Sequence, residues 1–368
     1  MLRKFSKLML VVAVLLIAGL IVAGCGQKKA QEPAPQAGAE KMKVGFVYIG
    51  TPGDAGWTFA HEKGRQQLVA EMPDIETKVV ENVTDADAER VITQLAEEGC
   101  KVIFTTSFGF MDPTINVAAK YPDVVFMHCS GYKTAPNVGT YFGRMYQARY
   151  LTGLIAGKAT KSNLIGYVAA FPIPEVIRGI DAFALGVKKA NPDAKVRVVW
   201  TNTWFDPARE KQAAQALLDA GADVIAQHQD TPGPQQAAEA AGKLSIGYNS
   251  DMSKLAPKAV LTSAVWNWGP FYVDIVKQVK EGTWTNKQWW VPMSEGIVDL
   301  APYSDKVTDE MKQLVEAEKA RIISGEWDVF TGPIKDNKGE LKVPEGQRMS
   351  DADMLSMEWF VDNVEVVK

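Results

Sequence analysis

Aromatic, carboxylate and amide side chains gather just after the short apolar runs of this sequence. The members of this set that follow a run most directly are Trp57, Phe110, Phe171, Trp204, Asp230, Asn249 and Asp251. Aromatic faces can stack on a planar heterocycle, and carboxylates and amides can hydrogen-bond the nitrogens at its edge. The pattern predicts a binding site for a small molecule, closed off from water so that both kinds of contact are strengthened.

Several of these positions also have a structural interpretation. Trp57 begins an amphipathic stretch and could belong to a core, while Asp54 could cap the helix that starts there. A capping role is favoured for Asp112, which precedes a proline, and for Asp206, which also precedes one. These alternatives stay open for Trp57 and Asp54.

Ligand contact is favoured for Asp230 and Asp251, because neither has a strong capping pattern around it. Trp266 and Trp268 lie where the chain is expected to change lobes, and they could pack there or face the ligand. Both interpretations of this tryptophan pair remain.

No catalytic, metal-binding or cofactor-binding pattern stands out. The three histidines are isolated from one another, and the residue four positions after His61 is Arg65, which cannot complete a zinc-protease helix. There is no G-x-S-x-G elbow, and Ala159 replaces the hydroxyl residue that a phosphate loop needs. Cys100 and Cys129 lack metal-site spacing and are expected to be two small buried side chains. We therefore expect no enzyme, no cofactor and no metal.

From residue 42 onward, apolar runs alternate with amphipathic stretches of helical length, which is typical of parallel sheets covered by helices. In the first series the predicted strands are 43–49, 77–80, 102–105 and 124–128, and the helices are 57–71, 87–98 and 113–120. In the second series the strands are 164–169, 195–200, 223–226 and 244–248, and the helices are 147–158, 176–190, 208–220 and 235–242. Two such series predict an α/β protein with two doubly wound lobes and a cleft at their strand ends.

The later part of the chain is less regular and supplies the remaining elements. The predictions there are a strand over 259–263, helices over 270–281 and 305–323, and a hairpin around residues 336–339. We assign residues 42–142 and about 265–300 to an N-terminal lobe. Residues 143–264 and about 301–368 form the C-terminal lobe.

The first 41 residues have the pattern of an exported lipoprotein. Three basic residues precede the apolar run 8–22, and small residues lead to Cys25. Residues 1–24 are predicted to be a lipoprotein signal peptide, and 25–41 a flexible tether lipidated at Cys25. The alternative is an uncleaved anchor helix. Either way the chain is placed outside the cytoplasm and at a membrane.

Composition supports a globular protein. The chain has 368 residues, 46% of them hydrophobic, and a formal net charge of −4. These values exclude a disordered, fibrous or disulfide-framework protein, and they argue against binding nucleic acid through a basic field.

Several long motifs, in order, resemble the basic membrane protein family. They include KVGFVYIGTPGDAGWTFAHEKGR, GRMYQARYLTGLIAGKAT, GADVIAQHQDTPGPQQAA and IGYNSDM. The resemblance implies a type I periplasmic-binding-protein fold and a lipoprotein that delivers solute to an ABC importer. Relatives bind purine nucleosides or purine bases between aromatic rings, and here Trp57, Phe110, Phe171 and Trp204 could supply the rings.

The resemblance also implies that acids at strand ends hold the ligand, matched in position by Asp230 and Asp251. Nucleoside binders follow the first acid with a Ser-Phe-Asn pattern, whereas here Asp54 is followed by Gly56-Trp57-Thr58. This departure favours a free base resembling adenine.

The leading hypothesis is therefore an extracytoplasmic receptor, anchored to the cell membrane by lipid and facing the periplasm or exterior. Its expected partners are a purine base or nucleoside and the subunits of an ABC permease. The alternatives are a receptor for a different small solute and a ligand-sensing signalling lipoprotein. A nucleoside hydrolase would need a cluster of acids that this sequence does not offer.

Overall fold

The computed structural model describes residues 41–367, so the predicted signal peptide, Cys25 and all of the tether except residue 41 lie outside the described residues. Residues Met42–Lys368 form one compact unit. Within the described residues no helix is both long enough and apolar enough to cross a membrane.

The first lobe is built on a six-stranded, all-parallel sheet with the order β11-β5-β4-β3-β1-β2. Its strands are β1 Met42–Val47, β2 Ile75–Val80, β3 Cys100–Thr105, β4 Val125–Cys129, β5 Val138–Gly143 and β11 Gln288–Val291. Its helices are α1 Trp57–Glu71, α2 Ala88–Glu97, α3 Met111–Ala118 and α8 Gly269–Glu281. The central strands carry continuous apolar runs because helices cover both faces of the sheet.

The second lobe is built on a seven-stranded sheet with the order β12-β10-β9-β8-β6-β7-β15. Its strands are β6 Leu164–Ala169, β7 Lys195–Trp200, β8 Val224–His228, β9 Leu244–Asn249, β10 Val260–Trp266, β12 Val298–Leu300 and β15 Val364–Val366. Its helices include α4 Met145–Ala159, α5 Pro174–Ala190, α6 Pro207–Asp219, α7 Gly233–Ala240, α9 Asp309–Ile323 and α10 Asp351–Leu355. Only β12 runs antiparallel to its neighbour in this sheet.

The two-lobed α/β architecture with parallel sheets is confirmed, and most predicted elements are found within a few residues of their expected bounds. The chain passes between the sheets after Gly143, after Trp266 and between Val291 and Val298. Residues 298–300, which the sequence assigned to the first lobe, pair with β10 in the second sheet. A short hairpin, β13 Ile334–Lys335 and β14 Leu341–Val343, flanks the turn predicted at 336–339.

Side-chain caps fix where several helices begin. The Asp54 carboxylate accepts hydrogen bonds from the backbone N–H groups of Gly56, Thr58 and Phe59 at 2.8–3.0 Å, which starts α1 at Trp57. Asp206 accepts from the N–H of Arg209 and caps α6, as the sequence predicts. Asp112 is different, because it lies inside α3 and pairs with Lys133.

The cysteines behave as expected. Cys100 on β3 and Cys129 on β4 are both buried free thiols. Burial raises the pKa of the Cys129 thiol, so this side chain is a small apolar group and not a nucleophile.

Helices α4 and α5 pack backbone to backbone through glycines. A Cβ on Gly153 would lie 2.1 Å from the carbonyl oxygen of Phe183, and one on Gly186 would lie 2.1 Å from that of Tyr150. Only glycine permits this approach, because a methyl group would overlap the facing backbone. The contact joins the helix that follows the first crossing to the centre of the second lobe.

We predict that Gly153→Ala lowers the free energy of unfolding by about 1–3 kcal/mol, because the new methyl group forces the two helices apart. Gly186→Ala tests the same contact from the opposite helix and should cost a similar amount. Chemical denaturation followed by circular dichroism measures both. Wild-type stability in either variant would contradict this account of the helix pair.

Candidate functional site

A cavity lies between the lobes, at the carboxyl ends of the strands of both sheets. The first lobe contributes Ile49, Trp57, Ser107, Phe108 and Ser130, and the second lobe contributes Glu175, Trp204, His228, Asp230 and Tyr248. Ligand sites in open parallel sheets form at this edge, because the loops after successive strands converge there. The lining combines aromatic faces with a few polar groups, which is typical of a small-molecule site.

Trp57 forms the first-lobe wall and is also held by the lobe's interior. Its indole N–H donates to the carbonyl of Thr106 at 2.7 Å, just after β3. Its ring packs edge-on against His61, with centroids 4.3 Å apart. The core interpretation of this residue is therefore confirmed, while one side of the ring borders the cavity and its contact with a ligand stays a prediction.

Trp204 forms the facing wall, in the loop between β7 and α6. Phe171 packs edge-on against it with ring centroids 5.1 Å apart, and it is not part of the cavity lining. Phe171 therefore supports the orientation of Trp204.

Asp230 is the buried acid of the cavity, with 6% of its surface exposed. Burial raises the pKa of its carboxyl well above the ordinary value, and the negative charges of Asp54, Glu210 and Glu175 raise it further. A hydrogen bond from Asn249 partly opposes this shift. Burial and the neighbouring acids favour the protonated carboxyl, which can both donate and accept a hydrogen bond.

Asn249 is not part of the cavity lining, but it holds the neighbouring turn in place. Its amide donates to the carbonyl of Gln229 at 3.2 Å and accepts from the indole N–H of Trp266 at 3.0 Å. Through Gln229 it fixes the turn that presents Asp230. Asn249 itself takes a left-handed conformation, with φ at 69°, which asparagine tolerates better than most residues.

His228 and Glu175 form a polar pair on the second-lobe side of the cavity. His228 Nε2 lies 3.4 Å from Glu175 Oε1 and 3.4 Å from the hydroxyl of Tyr248. Burial lowers the pKa of His228 to about 4, although Glu175 opposes that shift. The imidazole is therefore neutral at physiological pH.

Of the residues proposed from the sequence, the structure brings Trp57, Trp204 and Asp230 together around the cavity. Phe110 lies elsewhere, fully buried among the apolar side chains that include Val47 and Phe126. Asp251 is exposed and accepts a hydrogen bond from the N–H of Ser253, away from the cavity lining.

Sequence reasoning did not select Phe108, His228, Tyr248 and Glu175 as site residues. Phe108 was visible in the same stretch as Phe110, but the 3-10 turn Phe108–Phe110 reverses which ring faces the cavity. His228 could have been found by its position as the last residue of β8, next to Asp230. Trp266 and Trp268 pack together, with centroids 4.5 Å apart, and neither lines the cavity.

The lobes touch directly beside the cavity, so the structure is a closed form. A Cβ on Gly56 would lie 2.1 Å from the carbonyl oxygen of Asp230, on the opposite lobe. The hydroxyl of Ser250 donates to the carbonyl of Ala55 across the same gap. Only a glycine at position 56 allows this approach.

Within residues 41–367 no group of three or more His, Cys, Asp or Glu side chains is arranged to hold a metal ion. The polar side chains of the cavity include Asp230 and the His228–Glu175 pair, set among aromatic rings. Nothing in this set combines a nucleophile with an adjacent base in the way that covalent catalysis needs.

Comparison with known proteins identifies the class. The Bmp family, described as ABC transporter substrate-binding protein PnrA-like, matches residues 41–331. This chain belongs to that family. Proteins of this class are extracytoplasmic and bind solutes for ABC transporters, and the family is not a catalytic one.

Individual relatives agree with the assignment. A purine-binding protein from Brucella abortus is 48% identical over 89% of this chain and 93% of its own length. A putative ABC transporter glucose-binding protein from Haloferax volcanii is 43% identical over 80% of this chain and 75% of its own. The solved solute-binding protein from Conexibacter woesei superposes with a TM-score of 0.64 at 25% identity, over 78% of this chain and 98% of the other.

We predict that Gly56→Ala leaves the fold intact and weakens ligand binding at least ~10-fold, because the added methyl group prevents full closure against Asp230. Gly53→Ala is the matched control in the same loop, since its nearest neighbour would be Thr51 at 3.4 Å. Small-angle scattering with and without ligand reports closure directly. Normal ligand-induced compaction in Gly56→Ala would contradict the role of this contact.

The raised pKa of Asp230 also predicts how stability depends on pH. The folded state holds this proton more tightly than the unfolded chain, so the contribution to stability is full below the ordinary aspartate pKa. It is lost as pH rises towards the folded-state pKa. We expect ligand-free Asp230→Asn to have a higher free energy of unfolding than wild type at pH 8, by on the order of 1–3 kcal/mol. This difference in stability should disappear towards pH 4.

Thermal unfolding across this pH range measures the effect. Asp251→Asn is the control, because Asp251 is exposed and should follow the wild-type profile. Parallel pH profiles for wild type and Asp230→Asn would show that Asp230 is not the buried acid responsible.

Proposed function

We propose that this protein is the receptor of an ABC importer for a purine, and that it captures the ligand by closing its two lobes. The observation that carries the proposal is the pairing of Trp57 and Phe108 on one lobe with Trp204 on the other, beside the single buried acid Asp230. Aromatic walls suit the faces of a flat heterocycle, and a carboxyl suits its edge. The purine-binding relative, 48% identical, supports the same ligand class.

The raised pKa of Asp230 favours one class of purine over another, because it favours the protonated carboxyl. A neutral carboxyl donates through its hydroxyl and accepts through its carbonyl oxygen. Adenine presents the complementary pair along one edge, a ring nitrogen that accepts and an exocyclic amine that donates. A guanine edge with two adjacent donors would require the ionised carboxylate, which burial and three nearby acids disfavour. Adenine or a close relative is therefore our first choice, as base or nucleoside.

In this proposal Trp57, Trp204 and Asp230 contact the ligand. The other residues selected from the sequence do not contact it directly: Phe110, Phe171, Asn249 and Asp251. Phe171 and Asn249 act through Trp204 and the Asp230 turn, and Phe108 takes the place of Phe110 at the wall. Asp251 has no place at the ligand in the closed form.

We propose that the ligand is released unchanged.

The N-terminal pattern extends the proposal to the cell surface. Cleavage before Cys25 and its acylation would leave the mature protein on the membrane through a tether of residues 25–41. Residues 42–142 with part of 265–300 then form the N-terminal lobe, and the remainder forms the C-terminal lobe. The closed form would present both lobes to the permease.

A sugar is the second candidate, because a relative 43% identical is described as a putative glucose-binding protein. Paired hydroxyls could engage Glu175 and Asp230, with an aromatic ring below the sugar. Titration with purines and with glucose distinguishes these two ligand classes.

We expect isothermal titration of the protein from Met42 onward to show binding of adenine or adenosine in preference to guanine, guanosine and glucose. Trp204→Ala should weaken that binding about 5- to 100-fold, since stacking on an aromatic side chain is worth roughly 1–3 kcal/mol per base. Phe205→Ala is the matched control, because this neighbouring ring is exposed and outside the cavity lining. Heat with glucose and none with any purine would replace the purine proposal with the sugar.

A further inference from the structure

A second, smaller cavity lies behind the ligand cavity, and His228 and Tyr248 form a wall that the two share. Arg149 from α4 and Arg178 from α5 also border it. It has room for about one water-sized particle. Two buried arginines around so small a space require an explanation, since burying a cation is costly unless its donors are satisfied.

Arg149 is 1% exposed and only partly satisfied. Its Nη1 donates to the carbonyl of Gln227 at 2.5 Å, and its guanidinium lies 3.5 Å from the ring centroid of Tyr248. Its Nε and Nη2 atoms are buried and have no hydrogen-bond partner within residues 41–367.

Arg178 is 4% exposed and also borders this cavity. Its Nη1 donates to the carbonyl of Met354 at 2.8 Å, which is its one hydrogen bond to the described part of the chain. The guanidinium also lies 4.8 Å from the ring centroid of Trp290. Burial lowers the pKa of Arg178 to about 10, so it remains a cation at neutral pH.

Two unpartnered nitrogens, Arg149 Nε and His228 Nδ1, lie close to Gly179 of α5, which has no side chain. A Cβ on Gly179 would lie 3.5 Å from Nδ1 of His228 and 3.8 Å from Nε of Arg149. His228 Nδ1 is itself buried without a partner in the described residues. The glycine therefore leaves open a space beside a buried, unpartnered guanidinium N–H of Arg149 and the unpartnered ring nitrogen of His228.

The charges around this cavity do not balance. Two guanidinium groups face it, and Glu175 is the one carboxylate in its lining. His228 is neutral, and the hydroxyls of Tyr146 and Tyr248 keep their protons because burial raises the pKa of each. Among the groups that line this cavity, one positive charge is therefore left uncompensated.

We propose that this cavity, bordered by Arg149, Arg178, Gly179 and His228, is a binding site for a small monovalent anion such as chloride. A halide accepts several N–H donors at once and carries no hydrogens that need acceptors. A water molecule accepts two, which leaves guanidinium donors unsatisfied and the charge unbalanced. The bound anion neutralises the cluster and holds Arg149 under the Tyr248 ring, and so supports the wall of the ligand cavity.

Thermal unfolding of the ligand-free protein, from Met42 onward, tests the site independently of any purine. At constant ionic strength, replacing gluconate by chloride should raise the wild-type unfolding temperature by a few degrees, because an ion that binds only the folded state stabilises it. In Gly179→Ala the methyl group fills the space without a close contact, and a helix interior favours alanine over glycine. That variant should fold and lose the response to chloride.

Arg149→Gln should lose the response too, whereas Arg90→Gln removes an exposed arginine and should keep it. Crystals soaked in bromide should show an anomalous peak within hydrogen-bonding distance of Arg149 Nε and Arg178. An equal chloride response in wild type and Gly179→Ala would overturn the proposal. So would a water at this position with no bromide peak.

Discussion

Closure in this protein depends on one backbone contact, the approach of Gly56 to the carbonyl of Asp230. The loop can reach that position because the Asp54 carboxylate collects three backbone N–H groups and turns the chain sharply ahead of α1. Ala55 accepts a left-handed conformation, with φ at 58°, as part of the same turn. The Asp54 cap therefore does more than start α1, because it also places Gly56 against the second lobe.

The cost of that closure is electrostatic. Bringing the lobes together buries Asp230 and adds Asp54 of the first lobe to Glu210 and Glu175, which belong to the same lobe as Asp230; burial and these three charges raise its pKa. A ligand that hydrogen-bonds the neutral carboxyl offsets part of this cost and stabilises the closed form relative to the open one. The aromatic rings of the lining add no charge to this group of acids, since stacking needs no counter-charge.

The sequence was sufficient to predict the fold because the pattern of apolar runs is strong in most strands. β6 and β7 have the bounds expected from that pattern, and α1 begins and ends as predicted. β5 was missed, because VGTYFG has glycines at its second and last positions and was interpreted as a crossing between lobes. β15 was also missed, since its pairing with β7 joins residues more than 160 positions apart and leaves no local signal.

The candidate site was harder to predict than the fold, for a geometric reason. A sequence pattern places a residue at the end of a strand, but the turn that follows decides which side chain faces the cleft. Phe108 and Phe110 differ in this way across one 3-10 turn. Asp230 and Asp251 differ in the same way. Asn249 fixes the turn that presents Asp230, whereas Asp251 accepts a hydrogen bond from the N–H of Ser253 in its own loop.

The aromatic core of the first lobe connects the cavity wall to the crossing segment between the lobes. Trp57 packs edge-on against both Trp266 and Trp268, at 5.9 Å in each case, and His61 stacks on Trp268 at 4.8 Å. Trp266 also donates to Asn249, which fixes the Asp230 turn on the other lobe. A ring that borders the cavity and two rings on a segment that crosses between the lobes are therefore in van der Waals contact. Because packed interiors do not deform continuously, a ligand that positions Trp57 also restricts the conformations open to that segment. Ligand recognition and closure thus depend on the same packed group of side chains.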